Sequence, residues 1–183
     1  MRFIMAKVRL VPALVLLSAI ALGDVRNCTC DIASAESMAR RECSLCREAE
    51  KQPPDTQVFF LKDINPHKPD RWLALPRAHA NSLAALTPAQ RAALWTAAIE
   101  KARSLWGEQW GLAANADSRR SQCHIHIHIG KLLEGAETPD FVLVGGPADI
   151  PVPPDNGGIW VHPVGGKLHV HLGEDAPETL LMR

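Results

Sequence analysis

Apolar and polar positions fall into blocks whose period changes along the chain. Leu10 to Leu22 is an unbroken apolar run of 13 residues, short of the roughly 20 that a membrane-spanning helix needs. Residues 24–52 are polar, with Ser34 to Glu50 predicted as a helix and Pro53-Pro54 closing it. Val58 to Asp63 reads as a strand, residues 63–70 as a turn-rich connection and Arg71 to Leu75 as a second strand stopped by Pro76, so the two are expected to pair as a hairpin. Thr87-Pro88-Ala89-Gln90 has the form of a helix start, with a Thr cap, Pro at the first helical position and Gln three residues after the cap. Trp95, Ile99, Ala102 and Trp106 then recur at spacings of four, three and four, the stripe of a helix packed on a sheet, ending between Gly107 and Gly111. Leu112 to Asn115, Cys123 to Ile129 and Phe141 to Val144 are further strands.

Residues 145–158 are rich in Pro and Gly and predict a linker without regular structure. Ile159 to Leu172 reads as a hairpin turning at Gly165-Gly166, a register that sets His162 opposite His169 with His171 on the same face. The fold class expected is α+β: an antiparallel sheet with one long and one shorter helix, plus a C-terminal β-hairpin extension. The chain is expected to divide into a leader (1–23), a cysteine-containing segment (24–52), a main domain (53–145), a linker (146–158) and the hairpin extension (159–183).

Arg2, Lys7 and Arg9 before the apolar run, and small residues at Ala21 and Gly23, give residues 1–23 the form of a cleaved signal peptide. Without those three cations, 17 Lys and Arg remain against 20 Asp and Glu, a net charge of −3 that offers nucleic acid no attractive field. Export, to a periplasmic or extracellular space, implies an oxidising compartment in which Cys28, Cys30, Cys43, Cys46 and Cys123 can form disulfides. Five is odd, so one thiol is left over. By alternation Cys123 falls on an apolar face and is expected to be a buried small hydrophobe.

The segment Cys123-His-Ile-His-Ile-His-Ile-Gly130 carries the chemistry. On a strand, His124, His126 and His128 would line one face about 6.6 Å apart, with Ile125, Ile127 and Ile129 on the other. Neutral imidazoles in a row suit attack at phosphorus, one ring as nucleophile and its neighbours contacting phosphoryl oxygens, and they equally suit a zinc or copper ion.

With its neighbours, the segment resembles the histidine triad (HIT) superfamily signature, His-φ-His-φ-His-φ-φ. Cys43-Ser-Leu-Cys46, Asp63-Ile-Asn-Pro66, Leu75-Pro-Arg-Ala-His79-Ala-Asn-Ser-Leu83, Asn115 and Ser121 resemble further family motifs in the right order. The resemblance covers roughly residues 43–130 and implies a HIT-like sheet and a nucleotide phosphohydrolase. In it His126 would attack the nucleotide α-phosphate, His128 and Ser121 would contact phosphate and leaving-group oxygens, Asn115 would hold a phosphate oxygen and Asp63 would accept from ribose hydroxyls. The family's habit implies a homodimer. The stretch Asn115-Ala-Asp-Ser-Arg119-Arg120-Ser121-Gln122 is most similar to the CDP-diacylglycerol pyrophosphatase branch, which makes Arg119, Arg120 and Gln122 substrate-binding candidates and admits a nucleotide or a nucleotide-lipid as substrate.

Zinc-containing relatives, among them galactose-phosphate uridylyltransferase, use a Cys-X-X-Cys pair, a distal histidine and the first triad histidine. Cys43, Cys46, His79 and His124 fill those places and imply a structural zinc site, with no metal required for catalysis; disulfide pairing is the competing use of the cysteines. His162, His169 and His171 read as exposed histidines on an edge hairpin or as a second metal cluster, and His67 as a turn residue. A different class of protein, an extracytoplasmic zinc- or copper-binding module, would use both histidine clusters and the cysteines but has no use for Asn115, Ser121 or Asp63. For the phosphohydrolase, activity is expected to fall below an unperturbed histidine pKa of about 6.5.

Overall fold

The computed structural model describes residues 25–28 and 30–182; the leader expected over residues 1–23 lies outside them. Among the described residues seven strands form one antiparallel sheet: β1 (Val58–Lys62), β2 (Trp72–Pro76), β3 (Trp110–Ala114), β4 (Ile127–Lys131), β5 (Val142–Val144), β6 (Ile159–Val164) and β7 (Lys167–Leu172), in the spatial order β1-β2-β4-β3-β6-β7-β5. The α+β class is thus as expected. β6 pairs with β3, so the C-terminal hairpin continues the sheet instead of standing apart from it. Its turn is as the glycines require: Gly165 (φ 57°) and Gly166 (φ 78°) both adopt left-handed backbone, and His162 pairs with His169.

The described residues form three α-helices beside the sheet: α1 (Ala35–Ala39), α2 (Ser44–Glu50) and α3 (Pro88–Trp106). The Thr87 hydroxyl and the Gln90 side chain form the reciprocal capping box at the start of α3. Leu94, Trp95, Ala98, Ile99 and Ala102 bury α3 against Ala74, Leu112, Ile127, Ile129, Ile159, Val161 and Val170, so the three triad isoleucines join a core with Ile125 among them. On the opposite face α2 packs Ala49 and Leu45 on Phe59, Leu61, Leu73 and Leu75. Further along that face the C-terminal residues Leu180 and Leu181 cover Ala113 and Trp160.

The single helix expected over Ser34 to Glu50 is instead broken at Arg40, whose backbone is extended, with a 3₁₀ turn over Arg41–Cys43. The break serves tertiary ties that a continuous helix could not reach: Cys43 bonds to Cys30, and the Glu42 carbonyl accepts from the Cys123 N–H. The linker is not structureless either, since it holds two 3₁₀ turns, Pro147–Asp149 and Pro154–Asn156, and buries Ile150 in the α3 core. Pro76 ends β2 as its last residue, two positions beyond the pairing with β4, which stops at Ala74.

Candidate active site

The histidine segment enters the sheet late. Only Ile127 to Ile129 pair with β2, while Cys123 to His126 run beside it with the Cys123 and Ile125 N–H groups donating to Glu42 and Ala80 carbonyls. The alternation expected of a strand nevertheless holds, and all three imidazoles are buried on the face opposite α3. Burial then assigns each ring a different environment.

His126 donates from Nδ1 to the His124 carbonyl at 2.9 Å. A carbonyl can only accept, so the Nδ1 proton is fixed and Nε2 is left as a lone pair. Burial, reinforced by the nearby Arg120 charge and opposed by that hydrogen bond, lowers its pKa to about 4. His128 lies 4.8 Å away, ring centre to ring centre, and burial holds its pKa well below the usual value although the Glu178 carboxylate lies 3.5 Å from its Nδ1. His124 donates from Nε2 to the Pro76 carbonyl at 2.8 Å; burial lowers its pKa to about 4, and its Nδ1 is buried without a hydrogen-bond partner.

His126 and His128 line a cleft of about 780 Å³, and every residue singled out for catalysis or substrate binding lines it too: Asp63, Asn115, Arg119, Arg120, Ser121 and Gln122. Their local duties differ. Asp63 accepts the Asn65 N–H through Oδ1 as a turn residue, which leaves Oδ2 for a ligand. Asn115 Oδ1 accepts the Glu178 N–H, leaving its side-chain NH₂ as the group that can donate. Ser121 and Arg119 are exposed, Arg119 lying 3.7 Å from Asp175.

Two of the substrate-binding candidates also have structural duties. Gln122 accepts from the Ser44 hydroxyl at 2.6 Å and donates to the Arg41 carbonyl at 3.1 Å, so it braces the start of α2. Arg120 is buried, with its guanidinium committed to Asp117 and the Asn81 carbonyl and only Nε without a partner, which makes it chiefly a brace of the pre-triad loop.

The pattern along the chain missed Glu178, Lys68 and Arg71, whose side chains meet only through the fold. Glu178 Oε2 pairs with Lys68 at 2.6 Å and with buried Arg71 at 3.3 Å. Burial would raise the Glu178 pKa, but His128 and Lys68 outweigh it and bring it to about 2. Arg71 also donates to the Glu178, Leu181 and Met182 carbonyls, pinning the C-terminal segment against the triad. Gly130, where the signature allows a larger residue, makes room for that segment: a Cβ there would lie 3.1 Å from Leu181 Cβ.

The four-ligand zinc set is also corrected. Cys43 is bonded to Cys30 and Cys123 to Cys28, so Cys123 is buried as a disulfide half and not as a free thiol. Cys46, His79 and His124 do converge, their ligating atoms within 4.8 Å of one another. The orphaned His124 Nδ1 and the thiol-plus-imidazole donor set fit a soft divalent ion with three protein ligands. Burial raises the Cys46 thiol to about 11, so it ligates only by losing its proton to the metal. No protein-family model matches the chain, and no solved structure matches it.

Proposed function

We propose that the protein is an exported HIT-type phosphohydrolase that cleaves a phosphoanhydride or phosphoramidate at a nucleotide α-phosphate through a covalent intermediate on His126. The observation that carries this reading is the His126 ring itself, kept neutral by burial, with its Nδ1 proton tied to a carbonyl and Nε2 free at the cleft. Nε2 attacks phosphorus and the N–P bond forms as the bond to the leaving group breaks, a leaving phosphate departing as the anion and a leaving nitrogen taking up a solvent proton; water then attacks phosphorus, gives its proton to solvent and returns the lone pair to Nε2. His128 and Ser121 contact the phosphoryl and leaving-group atoms, and the Asn115 NH₂ holds a non-bridging oxygen. Oδ2 of Asp63 accepts from the ribose.

The charge of the cleft supports an anionic substrate. Of the cations lining it, Lys68, Arg119 and Arg120 are paired with Glu178, Asp175 and Asp117, and Arg41, Arg47 and Lys62 stand against Glu48 and Asp63, a small local excess of positive charge. Beside them Leu45, Leu61, Leu73 and the 97%-exposed Ile64 form an apolar strip suited to a lipid-linked nucleotide such as CDP-diacylglycerol. Two disulfides support an oxidising compartment. A zinc ion on Cys46, His79 and His124 would hold α2 and the start of the triad together, and the reaction does not call on it.

The test compares hydrolysis of CDP-diacylglycerol, a dinucleoside polyphosphate and a nucleoside phosphoramidate, with mass spectrometry of the enzyme mixed with each. A nucleotidyl adduct on His126 and a loss of about 10⁴-fold or more in His126→Ala are the expected results. Hydrolysis that survives His126→Ala in a folded protein refutes the reading.

A further inference from the structure

The histidines of the C-terminal hairpin are not the exposed edge residues that pairing of the hairpin alone suggests. His162 and His171 are 4% and 2% exposed, because β6 is an interior strand and the connection between β4 and β5 folds over them. That connection delivers Glu137, whose Oε2 lies 2.7 Å from His162 Nε2 and whose Oε1 lies 3.0 Å from His169 Nδ1. His171 Nε2 completes the group, 3.4 Å from His162 Nε2 and 3.6 Å from Glu137 Oε1. The four ligating atoms all lie within 4.8 Å of one another.

With all three rings neutral, the protons in this cluster do not suffice. His171 Nδ1 sits 3.0 Å from the Asp140 carbonyl, an obligatory acceptor, so Nδ1 carries the proton and Nε2 is a lone pair. That lone pair faces a carboxylate oxygen, which also only accepts, and a His162 nitrogen whose own proton is drawn to Glu137 at 2.7 Å. One cation at the centre satisfies all four atoms together. Ligating atoms bound tetrahedrally at 2.0–2.1 Å stand about 3.3 Å apart, so the four atoms, already within 4.8 Å of one another, need only a small contraction to take up that geometry. The rings are also held in orientation: His171 stacks on Trp160 at 3.7 Å, His169 on Phe141 at 3.8 Å, and the Thr138 hydroxyl is a further partner of His171 Nδ1.

We propose that Glu137, His162, His169 and His171 bind one late first-row divalent metal ion, zinc by the chemistry of the ligands, which clamps the connection between β4 and β5 onto the C-terminal hairpin. Three imidazoles and a single carboxylate disfavour calcium or magnesium, which take oxygen ligands. The site is structural. Leu73, His128, Ala113, Trp160 and His171 form one row across the sheet, so His171 stands three strands, about 14 Å, from the triad ring.

The test uses untagged full-length protein stripped with chelator and titrated with zinc. His79→Ala removes a ligand from the Cys46 group, and that protein is expected to retain about one tightly bound equivalent, with a raised Tm on loading. With cobalt(II) in place of zinc it should show visible bands of a four-coordinate ion and no thiolate-to-metal charge transfer. Adding Glu137→Gln and His169→Asn, both outside the buried core of the cluster, is expected to weaken that equivalent at least tenfold, in line with ligand and supporting-partner losses elsewhere. Failure of folded His79→Ala protein to bind zinc, or an equivalent unaffected by the two added substitutions, overturns the proposal.

Discussion

Three imidazoles two residues apart become chemically distinct through the atom each one faces. His126 is held as a neutral ring with one tautomer, and burial with the Arg120 charge brings its pKa to about 4 instead of the ordinary 6.5. The neutral fraction therefore persists far into acid, and the acid limb of kcat/KM is expected near pH 4, not near 6.5; a pH profile checks this, and a limb at 6.5 would mean that the ring titrates as if solvated. Asp63 has two oxygens with separable duties, one holding the turn through the Asn65 N–H. Asp63→Asn keeps that acceptor and removes the charge offered to a diol. A rise of about tenfold in KM with little change in kcat is expected for ribose-bearing substrates, and no change for a ribose-free phosphoramidate.

At the level of elements, the pieces whose partners are local form as their residues dictate. The Thr87–Gln90 box starts α3, and Gly165-Gly166 turns the hairpin in a register set by the two residues that can adopt positive φ. Elements whose bounds depend on distant partners shift: the helix expected from Ser34 breaks at Arg40, and the histidine strand pairs only from Ile127. The C-terminal segment is the clearest such case, because a single buried guanidinium, that of Arg71, holds its carbonyls and the Glu178 carboxylate. Arg71→Met leaves the Glu178, Leu181 and Met182 carbonyls without this donor while Lys68 still pairs the Glu178 carboxylate, and a loss of about 2–3 kcal/mol in denaturant unfolding is expected.

For the molecule as a whole, the site makes stability depend on acid. His124 and His126 have folded pKa values of about 4 against 6.5 in an open chain. Between those values the unfolded chain binds protons that the native one refuses, so stability is full above about pH 6.5 and falls as pH drops toward 4, by about 3 kcal/mol for each ring. Glu178, with its pKa brought to about 2, extends the loss below pH 4.5 in the same direction. Thermal melts should show Tm falling steadily as pH is lowered from 7 to 4, and a Tm flat over that range would mean that the rings take up protons in the native state as they do in the open chain. Much of this molecule was legible in one dimension. Alternation at 124–129 and the stripe of α3 specify one apolar face each, and since burying those faces is the largest favourable term, sheet, helix and core follow from them. The same alternation put His126 and His128 on one face, while Asp63, Asn115 and Ser121, marked only by the resemblance of their motifs, line the same cleft through the fold. What only the tertiary structure decided are pairings between residues far apart in the chain: Cys43 with Cys30 instead of a metal, Glu178 with Lys68 and Arg71, and Glu137 with the hairpin histidines. Periodicity states which face a side chain occupies; which distant side chain meets it there depends on strand order and on where the connections return, and those are set by the packing of the whole sheet.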